Sequence, residues 1–200
     1  VGDYNFISSF FIVFGFIFKK KIYIASDWTP IQPISKINKF RKCFLEILSS
    51  GFIMGSPLSK PIFKKTPIKG VMYMSSIYNY IDVKLSHKKY DFIYIGQFID
   101  RKNIKYTIEI FNQLHDKGFK CCIVGRSGFE TIQLNKLLNK ANFKVFNSVS
   151  WNDSQKFLAK SRCLFYPSNE EVWGLTVLEA LNNYCIPLST NFCASSKQSP

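Results

Sequence analysis

The sequence predicts an α/β fold built on a parallel sheet. From Asp91 onward, short apolar segments that are typical of buried strands alternate with amphipathic segments that are typical of helices. Glycine or polar residues follow several of these strands, as expected where a chain turns at the edge of a sheet. Because right-handed crossovers join consecutive parallel strands, the residues after the strands should share one edge, where ligands bind.

The second half of the chain contains five predicted strands and four predicted helices. The first helix is the clearest, because apolar residues recur at helical spacing from Ile104 to Leu114 and Gly118 ends it. The strands are predicted at 92–95, 119–124, 143–146, 162–166 and 186–189. The helices are predicted at 104–117, 131–141, 154–160 and 174–184.

The first half shows the same alternation less clearly. Strands are predicted at 22–25, 52–54 and 71–74, with one helix at 34–48 and another beginning near 56–60. The apolar run 6–18 is followed by three lysines and is shorter than the roughly twenty residues that span a bilayer. We predict that this run is a buried helix packed on the sheet. Peripheral contact with a membrane is an alternative.

The charge is positive and unevenly placed. The chain has 27 Lys and Arg against 13 Asp and Glu, a formal net charge of +14, and the first 89 residues carry +10 of it. A basic first half suits anionic lipid or a phosphorylated acceptor, although it is also compatible with a solvated lysine face. No nucleic-acid-binding motif is visible, so nucleic acid is not predicted as a partner.

The six cysteines lack metal-ligand spacing and lie mostly in apolar, strand-like runs. Reduced cysteine behaves there as a small hydrophobic residue, so neither a disulfide framework nor a metal site is predicted. Reduced cysteines fit a cytoplasmic protein. The two histidines, His87 and His115, are isolated in the sequence.

Two carboxylates flank a glycine in the run 167–180, PSNEEVWGLTVLEA. The local plan is a strand, a loop with Glu171, a turn at Gly174 and a helix with Glu179. Residues eight apart on one helix are separated by roughly 80°, so the two carboxylates converge more easily if Glu171 lies in the loop. Helix N-terminal N–H groups bind phosphate and carboxylates accept from hydroxyls, so this plan suits a phosphorylated, polyhydroxylated ligand.

This run resembles the E-x7-E signature of retaining GT-B-type glycosyltransferases, the group called family 4 or glycosyl transferases group 1. Glu171, Gly174 and Glu179 match the signature, whereas Val172 replaces the usual glycine and Trp173 the usual phenylalanine.

Two upstream segments resemble further motifs of the same family, in the family's order. Residues 93–103, IYIGQFIDRKN, match a strand and a loop that contains a lysine, here Lys102. Residues 122–128, CIVGRSG, match the next strand and its glycine turn. Many relatives have arginine at the position of Gln97, which offers hydrogen bonds but no charge.

The resemblance implies a GT-B-like architecture of two Rossmann-like domains. Residues 1–82 are expected to be the C-terminal part of the acceptor domain, because 79–82 resemble the element that ends it. Residues 83–90 would be the linker, and residues 91–200 the nucleotide-sugar-binding domain. The chain is expected to be a fragment that lacks the start of the acceptor domain and the last donor-domain helices.

The resemblance also assigns roles to individual residues. Lys102, with the N–H groups of Gly174 and Leu175, would bind the diphosphate, and Lys102 and Glu171 would be the catalytic pair. Glu171 would contact the sugar, and Glu179 the ribose of the nucleotide. The remaining residues expected near the sugar donor are Gly96, Gln97, Gly125 and Arg126.

The implied reaction is retaining transfer of a hexosyl-type sugar from a UDP- or GDP-linked donor to a glycan or lipid-linked acceptor. No cofactor and no metal is expected, because the lysine charge can stabilise the leaving diphosphate. The setting would be surface polysaccharide or lipopolysaccharide synthesis, in the cytoplasm or at the cytoplasmic face of the inner membrane.

Three other interpretations remain open at this stage. A glycosidase could use Glu171 and Glu179 as an acid and nucleophile pair. A truncated and inactive remnant could act as a basic membrane-associated module. A sugar-nucleotide epimerase could share the same architecture, because fold does not fix function.

Overall fold

The computed structural model describes residues 6–26, 34–72, 88–127 and 141–197. The chain divides into two compact units, Val1–Met74 and Ser75–Pro200. Several predicted features lie outside the described residues: the element at 79–82, most of the linker 83–90, His87, Gly128 and residues 131–140 of one helix. The predicted domain limits therefore stay predictions.

The described part of the first unit contains a three-stranded parallel sheet and two helices. Its elements are α1 (Phe6–Ile17), β1 (Tyr23–Ser26), α2 (Lys36–Leu48), β2 (Gly51–Met54) and β3 (Ile68–Val71). Strand β2 lies in the centre and pairs in parallel with β1 and with β3. A small core joins Ile12, Ile24, Leu45 and Phe52, so each helix has an apolar contact with this sheet.

Two predicted elements in this unit are wrong in position or type. Strand β3 begins at Ile68, three residues before the predicted start. No helix begins at 56–60, because these residues form turns in which the buried hydroxyls of Ser56 and Ser59 bond each other at 3.1 Å. The buried Glu46 carboxylate accepts from the backbone N–H groups of Ile62 and Phe63, which holds the loop that follows.

Helix α1 is largely exposed, which corrects the prediction of a buried helix. Ile12 packs into the core, whereas Phe10, Phe11, Phe16 and Ile17 are each more than half exposed in this unit. This helix is apolar on all sides, and a three-stranded sheet can cover only part of its apolar surface. Among the described residues, no helix is both long and apolar enough to cross a bilayer.

The second unit is a five-stranded parallel sheet with helices packed against it. Its strands are β4 (Tyr90–Phe98), β5 (Cys121–Ser127), β6 (Lys144–Asn147), β7 (Ser161–Tyr166) and β8 (Ile186–Ser189). Its described helices are α3 (Ile104–Asp116), α4 (Trp151–Ala159) and α5 (Leu175–Asn182). The predicted α/β class with parallel sheets is confirmed.

The sheet of this unit has one core on each face. Successive side chains of the central strands point to opposite faces, and both faces are covered by helices. Ile93 and Val124 pack with Leu158 of α4 and Val177 of α5. The neighbouring residues Tyr94 and Ile123 pack with α3 through Ile104, Ile108 and Phe111. The sheet is therefore doubly wound.

The strand order is β6-β5-β4-β7-β8. The chain thus winds outward from β4 in one direction and then returns to add β7 on the other side. In such sheets a crevice forms at the carboxyl ends of the two strands where the winding reverses, here β4 and β7. The loops after these strands contain Lys102 and Glu171.

Helix α4 begins three residues earlier than predicted. Ser150 caps it, because its hydroxyl accepts from the backbone N–H of Asp153 at 3.1 Å. The serine and the aspartate three residues later form a capping pair, which extends the helix to Trp151. This early start places Trp151 at the edge of the sheet where the strands end.

Candidate functional site

Lys102 lies at the crevice between β4 and β7. It ends a short 3-10 turn, Asp100–Lys102, that follows β4, and only 8% of its surface is exposed. Its Nζ donates to the phenolic oxygen of Tyr166 at 2.6 Å and forms an ion pair with the Glu171 carboxylate. The ammonium also lies 4.9 Å from the centre of the Tyr166 ring.

Tyr166 links the two charged groups. This last residue of β7 is 3% exposed, and its hydroxyl donates to Oε2 of Glu171 at 2.9 Å. Burial raises the pKa of Tyr166 well above its usual range, so the phenol keeps its proton and can donate. We call Lys102, Tyr166 and Glu171 the switch-point cluster.

The charge of Lys102 is set by two opposing effects. Burial, and then repulsion from Arg101, lower the pKa of Lys102 to about 8. The Glu171 carboxylate opposes this shift, because it contacts the ammonium directly. The ammonium is therefore the form present at neutral pH.

The loop after β7 is tied to the loop after β4. The backbone N–H of Asn169 donates to the carbonyl of Arg101 at 2.8 Å, and the buried Ser168 hydroxyl donates to the same carbonyl at 3.1 Å. An isolated parallel bridge pairs Glu171 with Cys193. These contacts place the Glu171 side chain beside Lys102 although the two residues are far apart in sequence.

Gly174 forms the turn that begins α5. Its φ is 68°, in the left-handed region where glycine has the lowest cost. A Cβ atom there would overlap the buried Cys193 sulfur. The Gly174 carbonyl accepts from the Ser195 hydroxyl at 3.0 Å, which fixes the turn. Leu175 is the first residue of the helix and is 40% exposed, so the helix N-terminus is close to solvent.

Glu179 has a different hydrogen-bond partner from Glu171. The indole N–H of Trp151 donates to its Oε1 at 2.9 Å, which joins the start of α4 to the middle of α5. The two carboxylates of the E-x7-E run thus make distinct contacts, one with a buried ammonium and one with an indole.

A cleft of about 400 Å³ lies at the carboxyl ends of β4, β5 and β6. Gly96, Gln97 and Gly125 line it, together with Val149 and Trp151 from the segment that leads into α4. A Cβ at Gly125 would overlap the carbonyl oxygen of Gly96 and the ring of Phe98, so only glycine fits this close strand contact.

The predicted site residues therefore fall into four groups, with Arg126 apart from them. Lys102 and Glu171 meet in the switch-point cluster, whereas Gly96, Gln97 and Gly125 line the cleft. Gly174 and Leu175 form the start of α5, and Glu179 binds Trp151. The backbone of Arg126 lies in β5 in register with Gln97, and its side chain is outside the described part.

Sequence reasoning missed two residues of this region, Tyr166 and Trp151. The sequence contained an indication of both. Tyr166 has a hydroxyl and lies at the carboxyl end of a strand, and Trp151 directly follows a helix-capping serine. Within the described ranges, no group of three or more His, Cys, Asp or Glu side chains could hold a metal ion.

Comparisons with known proteins point to one family. The model of the family described as glycosyl transferases group 1 matches residues 80–198. The capsular polysaccharide biosynthesis glycosyltransferase CapH of Staphylococcus aureus is 28% identical over 177 residues, which is 80% of this chain and 48% of CapH. The chain thus spans about half the length of this curated relative.

Solved structures show the same fold. The crystal structure of HepE from Anabaena in complex with UDP superposes with a TM-score of 0.74 at 15% identity, covering 96% of this chain and 59% of HepE. The GtfA/B complex gives a TM-score of 0.71 at 16% identity, covering 94% of this chain and 40% of the matched chain. The predicted GT-B-like architecture is confirmed at the level of the fold.

Proposed function

Because this chain belongs to the glycosyl transferases group 1 family, we propose that it binds a nucleotide-diphosphate sugar and supports transfer of the sugar to a glycan or lipid-linked acceptor. The observation that carries the proposal is the switch-point cluster. A buried ammonium, a carboxylate and a protonated phenol meet where an open parallel sheet binds ligands, beside a cleft of about 400 Å³.

The diphosphate is assigned to Lys102 and to the start of α5. Cleavage of the bond between the sugar and the diphosphate leaves negative charge on the phosphate, which a fixed ammonium stabilises. An ammonium has three N–H donors, and in the described part of the chain Tyr166 and Glu171 take two of them. The N–H groups of Gly174 and Leu175 add donors at the positive end of a helix dipole.

The nucleoside is assigned to the cleft. Gly96 and Gly125 allow a ligand to approach the backbone, and Gln97 offers an amide at the rim. Glu179 is assigned to the ribose, because each oxygen of a carboxylate can accept from a hydroxyl.

The sugar is assigned to Glu171, whose carboxylate also supports positive charge at the anomeric carbon. We propose retention of configuration and hexosyl transfer with no metal, in accord with the E-x7-E run and with the assignment of Lys102 to the diphosphate. We place a glycosidase pair second, because Glu171 is engaged in an ion pair with Lys102 whereas Glu179 accepts from the indole of Trp151.

The named relatives support a particular donor and product. HepE is a UDP complex in its crystal structure, and CapH is named for capsular polysaccharide biosynthesis. We therefore place UDP-sugars first among the donors for this chain, with GDP-sugars second. The acceptor is a growing surface polysaccharide or its lipid-linked precursor.

The binding proposal predicts a nucleotide-dependent gain in thermal stability. A ligand at 100 times its dissociation constant stabilises the folded state by about 2.7 kcal/mol. We expect an increase of a few degrees in Tm with UDP and UDP-sugars, measured by differential scanning fluorimetry. The increase should vanish in Lys102→Ala, fall by about half in Glu179→Ala, and persist in Lys105→Ala, which removes an exposed lysine of the same unit. A cooperative melt that UDP, GDP and ADP all leave unchanged would refute the site.

We also propose that the first unit contacts an anionic membrane. The rings of Phe10, Phe14 and Phe18 pack in a row along α1 and the residue that follows it, with centroid distances of 5.6 and 4.3 Å. Exposed lysines, Lys19–Lys21, follow directly, and α2 of the same unit exposes Ile37 and Phe40. Apolar side chains beside lysines suit the interface of an anionic bilayer.

This membrane proposal predicts binding that depends on lipid charge. Each lysine near an anionic surface contributes about 1 kcal/mol, so replacing Lys19, Lys20 and Lys21 together by glutamine should weaken binding about 100-fold. Flotation with phosphatidylglycerol–phosphatidylcholine vesicles measures this, and vesicles of phosphatidylcholine alone should bind weakly. Replacing Lys156 in the second unit serves as the control. Equal flotation of the triple variant and the unmodified chain would refute the proposal.

A further inference from the structure

Trp151 occupies a particular position in the second unit. It is the first residue of α4, lines the cleft, and remains 40% exposed although it is a large aromatic residue. Its indole N–H is committed to one acceptor, Oε1 of Glu179, at 2.9 Å. The ring thus joins the wall of the cleft to a carboxylate that the proposed function assigns to the ribose.

A second contact one turn further along both helices holds α4 and α5 together. The side-chain amide of Asn183 donates to Oε1 of Gln155 at 2.8 Å, and both residues are only 2% exposed. Gln155 follows Trp151 by four residues, and Asn183 follows Glu179 by four. The same amide of Asn183 donates to the Glu179 backbone carbonyl at 2.8 Å. This buried contact sets the spacing of the helices, so the indole at the cleft meets a carboxylate whose backbone is already fixed.

We infer that Trp151 is a positioning residue for Glu179, and that it selects ligands with a vicinal ribose diol. This inference rests on the proposed nucleotide site. An indole has one N–H donor and no charge, so it fixes Oε1 without neutralising the carboxylate. Oε2 and the negative charge are then directed to the two hydroxyls of a ribose in the cleft. A lysine or arginine at this position would instead compete for the carboxylate as a counter-ion.

A purely structural link between the helices explains the contact less well. The buried Gln155–Asn183 pair already joins α4 to α5, whereas the Trp151–Glu179 pair lies at the open edge. Exposed hydrogen bonds contribute little to stability, because water replaces them readily. Loss of the indole N–H should therefore change ligand selection more than it changes Tm.

The test compares UDP with 2′,3′-dideoxy-UDP, using the full chain and isothermal titration calorimetry, with GDP and its dideoxy analogue in parallel. The unmodified chain should bind UDP about tenfold more tightly than the dideoxy analogue, as expected for loss of hydrogen bonds to a charged group. Trp151→Phe keeps an aromatic ring and removes the N–H. This variant should bind UDP about fivefold more weakly, and its preference for UDP over the dideoxy analogue should fall to about twofold. Glu179→Gln should reduce the preference to the same extent, whereas the control Glu109→Gln should leave it unchanged.

A fluorescence measurement reports on the ring itself. In a Trp28→Phe background the remaining tryptophans are Trp151 and the buried Trp173, so UDP should change the emission of Trp151 most. Trp151→Phe should abolish this change. An unaltered UDP preference in Trp151→Phe, with UDP still bound by the unmodified chain, would overturn the inference alone. Failure of both UDP and GDP to bind the unmodified chain would overturn the proposed site, and the inference with it.

Discussion

Replacement of Lys102 by alanine is expected to lower the free energy of unfolding by about 3 kcal/mol and to weaken UDP binding about 100-fold. The first effect arises because the Glu171 carboxylate, whose side chain is 15% exposed, loses the ammonium that compensates its burial. The second arises because the diphosphate loses its fixed positive charge. Urea denaturation and calorimetry with UDP measure the two effects separately.

Two further variants separate the roles of Lys102. In the double variant Lys102→Ala with Glu171→Gln the uncompensated carboxylate is gone, so most of the lost stability should return while the UDP affinity stays low. Lys105→Ala removes an exposed lysine paired with Asp100 at 3.2 Å, and should change either quantity by less than about 1 kcal/mol. Recovery of UDP affinity in the double variant would contradict the assignment of Lys102 to the diphosphate.

The same lysine predicts the pH dependence of binding. The ammonium is the form that binds a diphosphate, and the pKa of Lys102 is lowered to about 8, chiefly by burial. UDP affinity should therefore be greatest below pH 8 and fall as the pH rises through this value. The ion pair with Glu171 can only move this fall to higher pH. A Lys102→Met chain should bind UDP weakly at every pH and show no such fall.

The order of strands and helices in the second unit could be predicted because it depends on local patterns. Apolar runs of four to six residues, bounded by polar turns, gave the approximate positions of all five strands. The prediction ended β4 at Ile95, because Gly96 and Gln97 interrupt the apolar run. In the structure β4 continues to Phe98, since these residues pair with Gly125–Ser127 of the neighbouring strand. Pairing between strands is a long-range contact that a local pattern does not contain.

The candidate site could be predicted as a set of residues but not as a set of contacts. Lys102 and Glu171 were each expected near the sugar donor, whereas their ion pair depends on the adjacency of β4 and β7 in the sheet. Tyr166 was not predicted, because a tyrosine in a strand is usually interpreted as a core residue. Its hydrogen-bond partners can be identified only in the folded structure. Trp151 was not predicted because its partner, Glu179, lies on another helix.

Replacement of Gly174 by alanine is expected to destabilise the second unit by about 4 kcal/mol and to abolish UDP binding. An L-residue in the left-handed region costs about 1 to 2 kcal/mol, and overpacking of a buried site costs about 1 to 3 kcal/mol more. The overlap is with the buried Cys193 sulfur, so relief would require movement of the turn that positions Glu171 and the start of α5. Urea denaturation in the Trp28→Phe background follows this unit through Trp151 and Trp173.

Gly118 provides a matched control, because it separates the cost of the backbone from the cost of the contact. Its φ of 88° is also positive, yet a Cβ there would meet nothing within 4 Å. Gly118→Ala should therefore cost only the backbone share, about 1 to 2 kcal/mol. Cys193→Ala removes the sulfur, so adding it to Gly174→Ala should recover part of the lost stability despite the small cavity it leaves. Equal losses in Gly174→Ala and Gly118→Ala would mean that backbone conformation alone requires glycine at this turn, and that the packing of Cys193 does not hold the start of α5 in place.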